Sequence, residues 1–81
     1  MGLQRLDEAA FARRLQTAIT LRGMTMPRAA QACGMPLPSL ESYVYRQNLP
    51  GARALFQIAQ GLGVSADWLL FGGRDPQRAA A

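Results

Sequence analysis

Residues 24–46, MTMPRAAQACGMPLPSLESYVYR, place one glycine, Gly34, between a run of small residues and a run of larger apolar ones, with prolines at 27, 36 and 38. A proline inside a helix removes a hydrogen bond and clashes with the preceding turn, so each of these must lie at a helix start or between helices. Gly34 supplies a left-handed residue at little conformational cost, which is how many helices end. The segment therefore reads as two short helices joined through a tight turn. Two helices that meet steeply need a small residue where they approach most closely, and Ala30, four positions before Gly34, occupies that place.

The rest of the chain divides the same way. Asp7 can cap a helix in which Phe11, Leu15 and Ile19 share one face, and Gly23 ends it. Thr25 caps the next helix, with Pro27 in its first turn, where a missing N–H is harmless, and Cys33 as its last residue. Leu37 precedes a proline and is pushed from helical angles, so the third helix is expected to begin near Pro38 and to end around Arg46 or Gln47. Leu40, Tyr43 and Val44 would form its buried face, with Leu40 and Tyr43 seated against the first and fourth helices. Asn48, Leu49 and Pro50 connect to a fourth helix over 51–62 with Leu55, Ile58, Ala59 and Leu62 inward. Ser65 caps a short fifth helix carrying Trp68, Leu69 and Leu70. Residues 72–81 offer little to bury and are expected to form a flexible tail behind a single domain spanning 1–71. The expected fold class is thus all-α, five helices in one compact unit, with a helix-turn-helix at about 26–46.

At 81 residues the chain can build only a small core. All nine of its basic residues are arginine, and they stand against five acids, giving a net charge of +4. That balance fits a phosphate-binding surface and is also common in ordinary small proteins. Cys33 is the sole cysteine and histidine is absent. A zinc site, an internal disulfide or a Cys/His nucleophile therefore cannot be assembled from this chain alone, and no metal or cofactor is expected. The acids are scattered, and the adjacent Asp7 and Glu8 suit a helix start better than acid/base chemistry. No glycine cluster has the form of a phosphate loop. An enzyme is not expected, nor a small-molecule ligand. No apolar run reaches membrane-spanning length and no signal segment is evident, so the expectation is a cytoplasmic protein without a membrane partner.

With these elements in place the chain resembles the lambda-repressor and Cro-like helix-turn-helix family, sometimes called XRE-type, over residues 11–71. The carriers are ITLRGMTMPRAAQACGM, in which Ala30 and Gly34 hold the family's small residue and turn glycine, LESYVYRQNLP with Leu40, Tyr43 and Pro50, and LFQIAQGLGVSADWLLFG. The last of these is especially like phage-type repressors. The resemblance implies sequence-specific binding to double-stranded DNA and control of transcription, most often repression, by a homodimer on a palindromic operator. The second helix would lie over the backbone and the third would enter the major groove. A bacterial or phage-encoded protein acting at the nucleoid is implied as well. The chain would then be either a complete small regulator or the DNA-binding half of a longer one.

Carried over by position, Leu37, Pro38, Ser39 and Ser42 occupy places from which family members reach base edges, with Arg46 at the helix end. Thr25, Met26, Arg28, Gln47, Asn48 and Arg53 fall where phosphate contacts are made, and an exposed Tyr45 could add a sugar or phosphate bond. Glu41 fits a cytosine contact or a bystander. The chain departs from the family where Met26 replaces a frequent glutamine and Leu37 and Pro38 replace long polar residues, none of which can pair bidentately with a base. Specificity would then draw partly on operator shape. Ile19 and Val44 stand where the family often places an arginine and a glutamate, and an apolar pair there avoids the desolvation cost of buried charge.

Simpler roles compete at several positions. Cys33 suits a small core filler better than a redox sensor. Trp68 and Phe71 close the core or, if exposed, form a dimer contact. Arg13 and Arg14 fit a solvated face of the first helix, whereas Arg28, Arg46 and Arg53 cluster about the third helix. The apolar Leu37 and Pro38 at reading positions also suit an alternative function, a protein-interaction module of the same fold, such as an antitoxin or adaptor.

Overall fold

A computed structural model describes residues 6–73. Five helices follow one another: α1 (Glu8–Leu21), α2 (Met26–Cys33), α3 (Leu37–Tyr45), α4 (Ala52–Leu62) and α5 (Ala66–Phe71). Of the expected tail, residues 72–81, only Gly72 and Gly73 are among the described residues. No strand occurs among them, and no described helix is long and apolar enough to cross a membrane.

The helix starts are set by side chains that accept otherwise unpaired backbone N–H groups. Asp7 accepts from the Ala10 N–H at 3.1 Å, Thr25 from Arg28 at 3.3 Å and Ser65 from Trp68 at 3.0 Å. α2 stops at Gly34, whose φ of 68° lies in the left-handed region. There the Gly34 N–H donates to the Gln31 carbonyl and the Met35 N–H to the Ala30 carbonyl, the paired closure of a Schellman turn. α1 closes the same way behind Gly23.

α3 departs from expectation at both ends. It begins at Leu37, not Pro38, with Pro36 as its cap residue. The restriction that Pro38 places on Leu37 is absorbed by a tight first turn, in which the Pro36 carbonyl accepts from the Ser39 N–H at 3.1 Å and, more weakly, from Leu40 at 3.4 Å. The helix ends at Tyr45, because Arg46 has already left helical geometry at φ −102°, ψ 0° and Gln47 is left-handed at φ 58°.

The core joins Phe11, Leu15, Ala18 and Ile19 of α1 to Ala29, Ala30 and Cys33 of α2, Leu40 and Val44 of α3, Ile58 and Leu62 of α4, and Trp68 and Leu69 of α5. Ile19 and Val44 are buried within this one cluster, as an apolar pair at those positions requires. α1 packs against α3 and α5, and α2 against α3 and α4. The seat expected for α3 on the first helix is present, but the chief partner of α4 is α2. Gly61 makes that crossing possible: a Cβ there would stand 2.5 Å from the Ala32 carbonyl oxygen and 2.7 Å from the Cys33 Cα. Leu55 and Ala59, expected inward on α4, are only half-buried.

Candidate nucleic-acid interface

The outer side of α3 carries Pro38, Ser39, Glu41, Ser42 and Tyr45, and Arg46 follows at the helix end. These positions recur at steps of three and four opposite the buried Leu40 and Val44, so they form one stripe. Tyr45 is 59% exposed and Pro38 and Arg46 are exposed, whereas Ser39, Glu41 and Ser42 are half-buried. Leu37, expected among the base readers, is half-buried and packs against the core. Met26, expected at a phosphate, likewise packs against the core, and its thioether has no hydrogen to donate.

The turn beyond α3 is built on Ser42. Its carbonyl accepts from the Arg46 N–H at 3.2 Å and from the Asn48 N–H at 3.3 Å, and the Asn48 side chain returns to donate from Nδ2 to the Ser42 Oγ at 3.0 Å. The left-handed Gln47 reverses the chain so that Asn48 can reach back. Nothing in the sequence announced this pairing, since a six-residue separation belongs to no helix pattern. A second tie fixes the turn between α2 and α3 to α4, where Gln57 Nε2 donates to the Gly34 carbonyl at 3.2 Å.

The arginines divide into two groups. Arg14 and Arg22 reach the last carbonyls of other helices, which carry the negative end of the helix dipole. Arg14 Nη1 donates to Leu69 and Leu70 at 3.1 and 3.2 Å, and Arg22 donates from Nε to Leu62 at 2.8 Å and from Nη2 to Gly63 at 3.2 Å. The expected solvated role of Arg14 on α1 is therefore replaced by an internal one. Arg28 near the start of α2, Arg46 at the end of α3 and Arg53 in the first turn of α4 are exposed and make no side-chain hydrogen bond among the described residues. Among the described acids, Asp7, Glu8 and Asp67 sit at the starts of α1 and α5. Among the described residues Glu41 is thus the only carboxylate on the outer side of α3.

Two further expectations concern burial. Cys33 is buried in the core and its thiol is pushed up to about 11 by desolvation, which makes it an inert filler. Trp68, offered with Phe71 as an exposed dimer pair, is 8% exposed and belongs to the core; only Phe71, at 44%, presents a surface. Among the described residues no group of three or more His, Cys, Asp or Glu side chains gathers to hold a metal ion.

No family model matches the chain, and no curated protein matches its sequence. Among solved structures it is similar to the P22 c2 repressor protein, in a crystal structure with synthetic operator 9T in the presence of Tl+. The TM-score is 0.72 at 16% identity, over 86% of this chain and 100% of that chain. The five helices thus have the lambda-repressor-like helix-turn-helix fold of a phage-type repressor, with α2 and α3 as the motif.

Proposed function

We propose that this chain is a sequence-specific DNA-binding transcriptional regulator, a repressor of the phage type, in which α3 enters the major groove and α2 lies across the backbone. The supporting observation is the division of the arginines: two cap helices internally, while Arg28 on α2, Arg46 at the end of α3 and Arg53 on α4 stand exposed, with no side-chain hydrogen bond among the described residues. Ser39, Ser42 and Arg46 carry the base contacts, joined by Pro38 and the outer edge of Leu37 against thymine methyl groups. Thr25, Arg28, Tyr45, Gln47, Asn48 and Arg53 meet phosphate, and Met26 contributes only its backbone N–H. α4 has no side-chain cap at Gly51, which leaves its first N–H groups to a phosphate as well.

The chain acts as a homodimer on a palindromic operator, with Phe71 in the dimer contact and the domain ending at residue 71. It works in the cytoplasm at the nucleoid, carries out no catalysis, and uses no cofactor or small-molecule ligand. The likeness to a repressor bound to synthetic operator supports the DNA-binding reading through the fold. The interaction-module alternative drew on an apolar patch at Leu37 and Pro38, and the packing of Leu37 against the core reduces that patch.

The test is a salt titration of duplex binding. Arg28→Ala and Arg53→Ala each weaken binding to every duplex, specific or random, and lower the slope of log K against log salt by about 1. Unchanged affinity and slope in both variants would place the interface elsewhere.

A further inference from the structure

The pairing of Asn48 with Ser42 has a chemical direction. An amide nitrogen can only donate, so with Asn48 Nδ2 at 3.0 Å the Ser42 Oγ is an acceptor in that bond, and its own hydrogen must point elsewhere. The nearest internal outlet for a helical serine is the carbonyl four residues back, here Pro38, and no such bond forms among the described residues. The clamp is held by backbone as well as side chain, since the Asn48 N–H donates to the Ser42 carbonyl behind the left-handed Gln47. Ser42 lies in the outer stripe of α3, between Pro38 and Arg46 at helical spacing.

We propose that Asn48 is a positioning residue for sequence specificity: it fixes the Ser42 hydroxyl as an outward donor, so that Ser42 selects a base with an acceptor on its major-groove edge. This rests on the reading of α3 as the groove helix, and it replaces phosphate contact as the main role of Asn48. Guanine offers N7 and O6, adenine N7 and thymine O4, whereas cytosine presents only the N4 donor. The Ser42 position therefore disfavours cytosine by about fivefold against the other three bases, the worth of one hydrogen bond of ordinary strength. An aspartate in place of Asn48 would accept from the Ser42 hydroxyl instead, turn the hydrogen inward and present an oxygen lone pair to the base.

The experiment is a selection from random duplex DNA with the full chain and with Ser42→Ala, Asn48→Ala and Asn48→Asp. Ser42→Ala and Asn48→Ala are expected to flatten the preference at the same single position of each half-site, with the rest of the motif and the salt slope unchanged. Asn48→Asp is expected to relieve the bias against cytosine and turn that position toward it, since its N4 group donates; adenine, with N7 and N6, suits either orientation. Asn48→Ala that weakens binding equally to every duplex and keeps every base preference makes Asn48 a phosphate ligand, a neutral one that leaves the salt slope unchanged, and overturns the proposal. A motif that no Asn48 variant alters overturns it too, while leaving α3 as the groove helix. Recovery of no motif by the unaltered chain overturns both. If the Asn48 variants fail to fold, the clamp is read in the free chain by nuclear magnetic resonance: Ser42→Ala must shift the Asn48 side-chain amide protons, and unmoved resonances overturn the proposal.

Discussion

Gln47 is the one residue other than glycine in the left-handed region among those described, at φ 58°. Its Cβ crowds the backbone there at a cost of roughly 1–2 kcal/mol, part of which glycine recovers against its greater freedom in the unfolded chain. Gln47→Gly should raise stability by about 0.5–1 kcal/mol, a few degrees in Tm, and Gln47→Val should lower it; a fall in Tm with glycine would contradict the backbone assignment. Cys33 sets a pH dependence. Its folded thiol titrates at about 11 against an ordinary 9.0, so between those values the unfolded chain has lost a proton that the folded chain keeps. The contribution is complete below pH 9 and is lost as pH rises through 11, by up to roughly 2–3 kcal/mol. Urea unfolding of the unaltered chain and Cys33→Ala from pH 8 to 11 should show the former losing stability faster; parallel curves would mean the thiol is not desolvated. The burial of Cys33 was legible from its place before a turn glycine. The pairing of Asn48 with Ser42 was not, because it depends on a left-handed glutamine that no propensity announces.

The helices were legible where capping chemistry is local. Asp7, Thr25 and Ser65 cap three of them, and Gly34 closes α2, all within a few residues of the boundary they set. α3 was less legible, since its first turn is a compromise between Pro36, Pro38 and the packing of Leu37. The ends of α4 and α5 fall where the spacing put them, at 62 and before Gly72, but the groups that cap them were hidden, because Arg22 and Arg14 lie 40 and 55 residues earlier in the chain. Charge alone made those arginines look like the others. Arg22→Ala should remove two hydrogen bonds at the end of α4 and cost about 1–2 kcal/mol, and Arg14→Ala about as much at α5. Both should lower the thermal midpoint while leaving the salt slope of duplex binding unchanged, the reverse of the behaviour expected of Arg28 and Arg53. An altered slope in Arg22→Ala would mean that it serves the interface and not the fold.

For the whole molecule, one small apolar core gathers the five described helices and leaves the outer stripe of α3 and the arginines Arg28, Arg46 and Arg53 exposed. Bulk composition could not reveal this, because the same nine arginines could have been spread evenly over the surface. What made it readable was punctuation, the small residue and glycine of the turn at Ala30 and Gly34 and the apolar spacing on either side. The fold needs only those features, which is why it persists at 16% identity to a solved repressor. Base recognition depends on a few exposed side chains that packing does not constrain, and these are where the chain departs from the family it resembles. The most direct measurement is the selection of binding sites from random duplex DNA by the unaltered chain. A palindromic motif with half-sites about one helical turn apart is the predicted result for a dimer with α3 in successive major grooves. Weak binding, equally salt-sensitive on every duplex and without a motif, would contradict it.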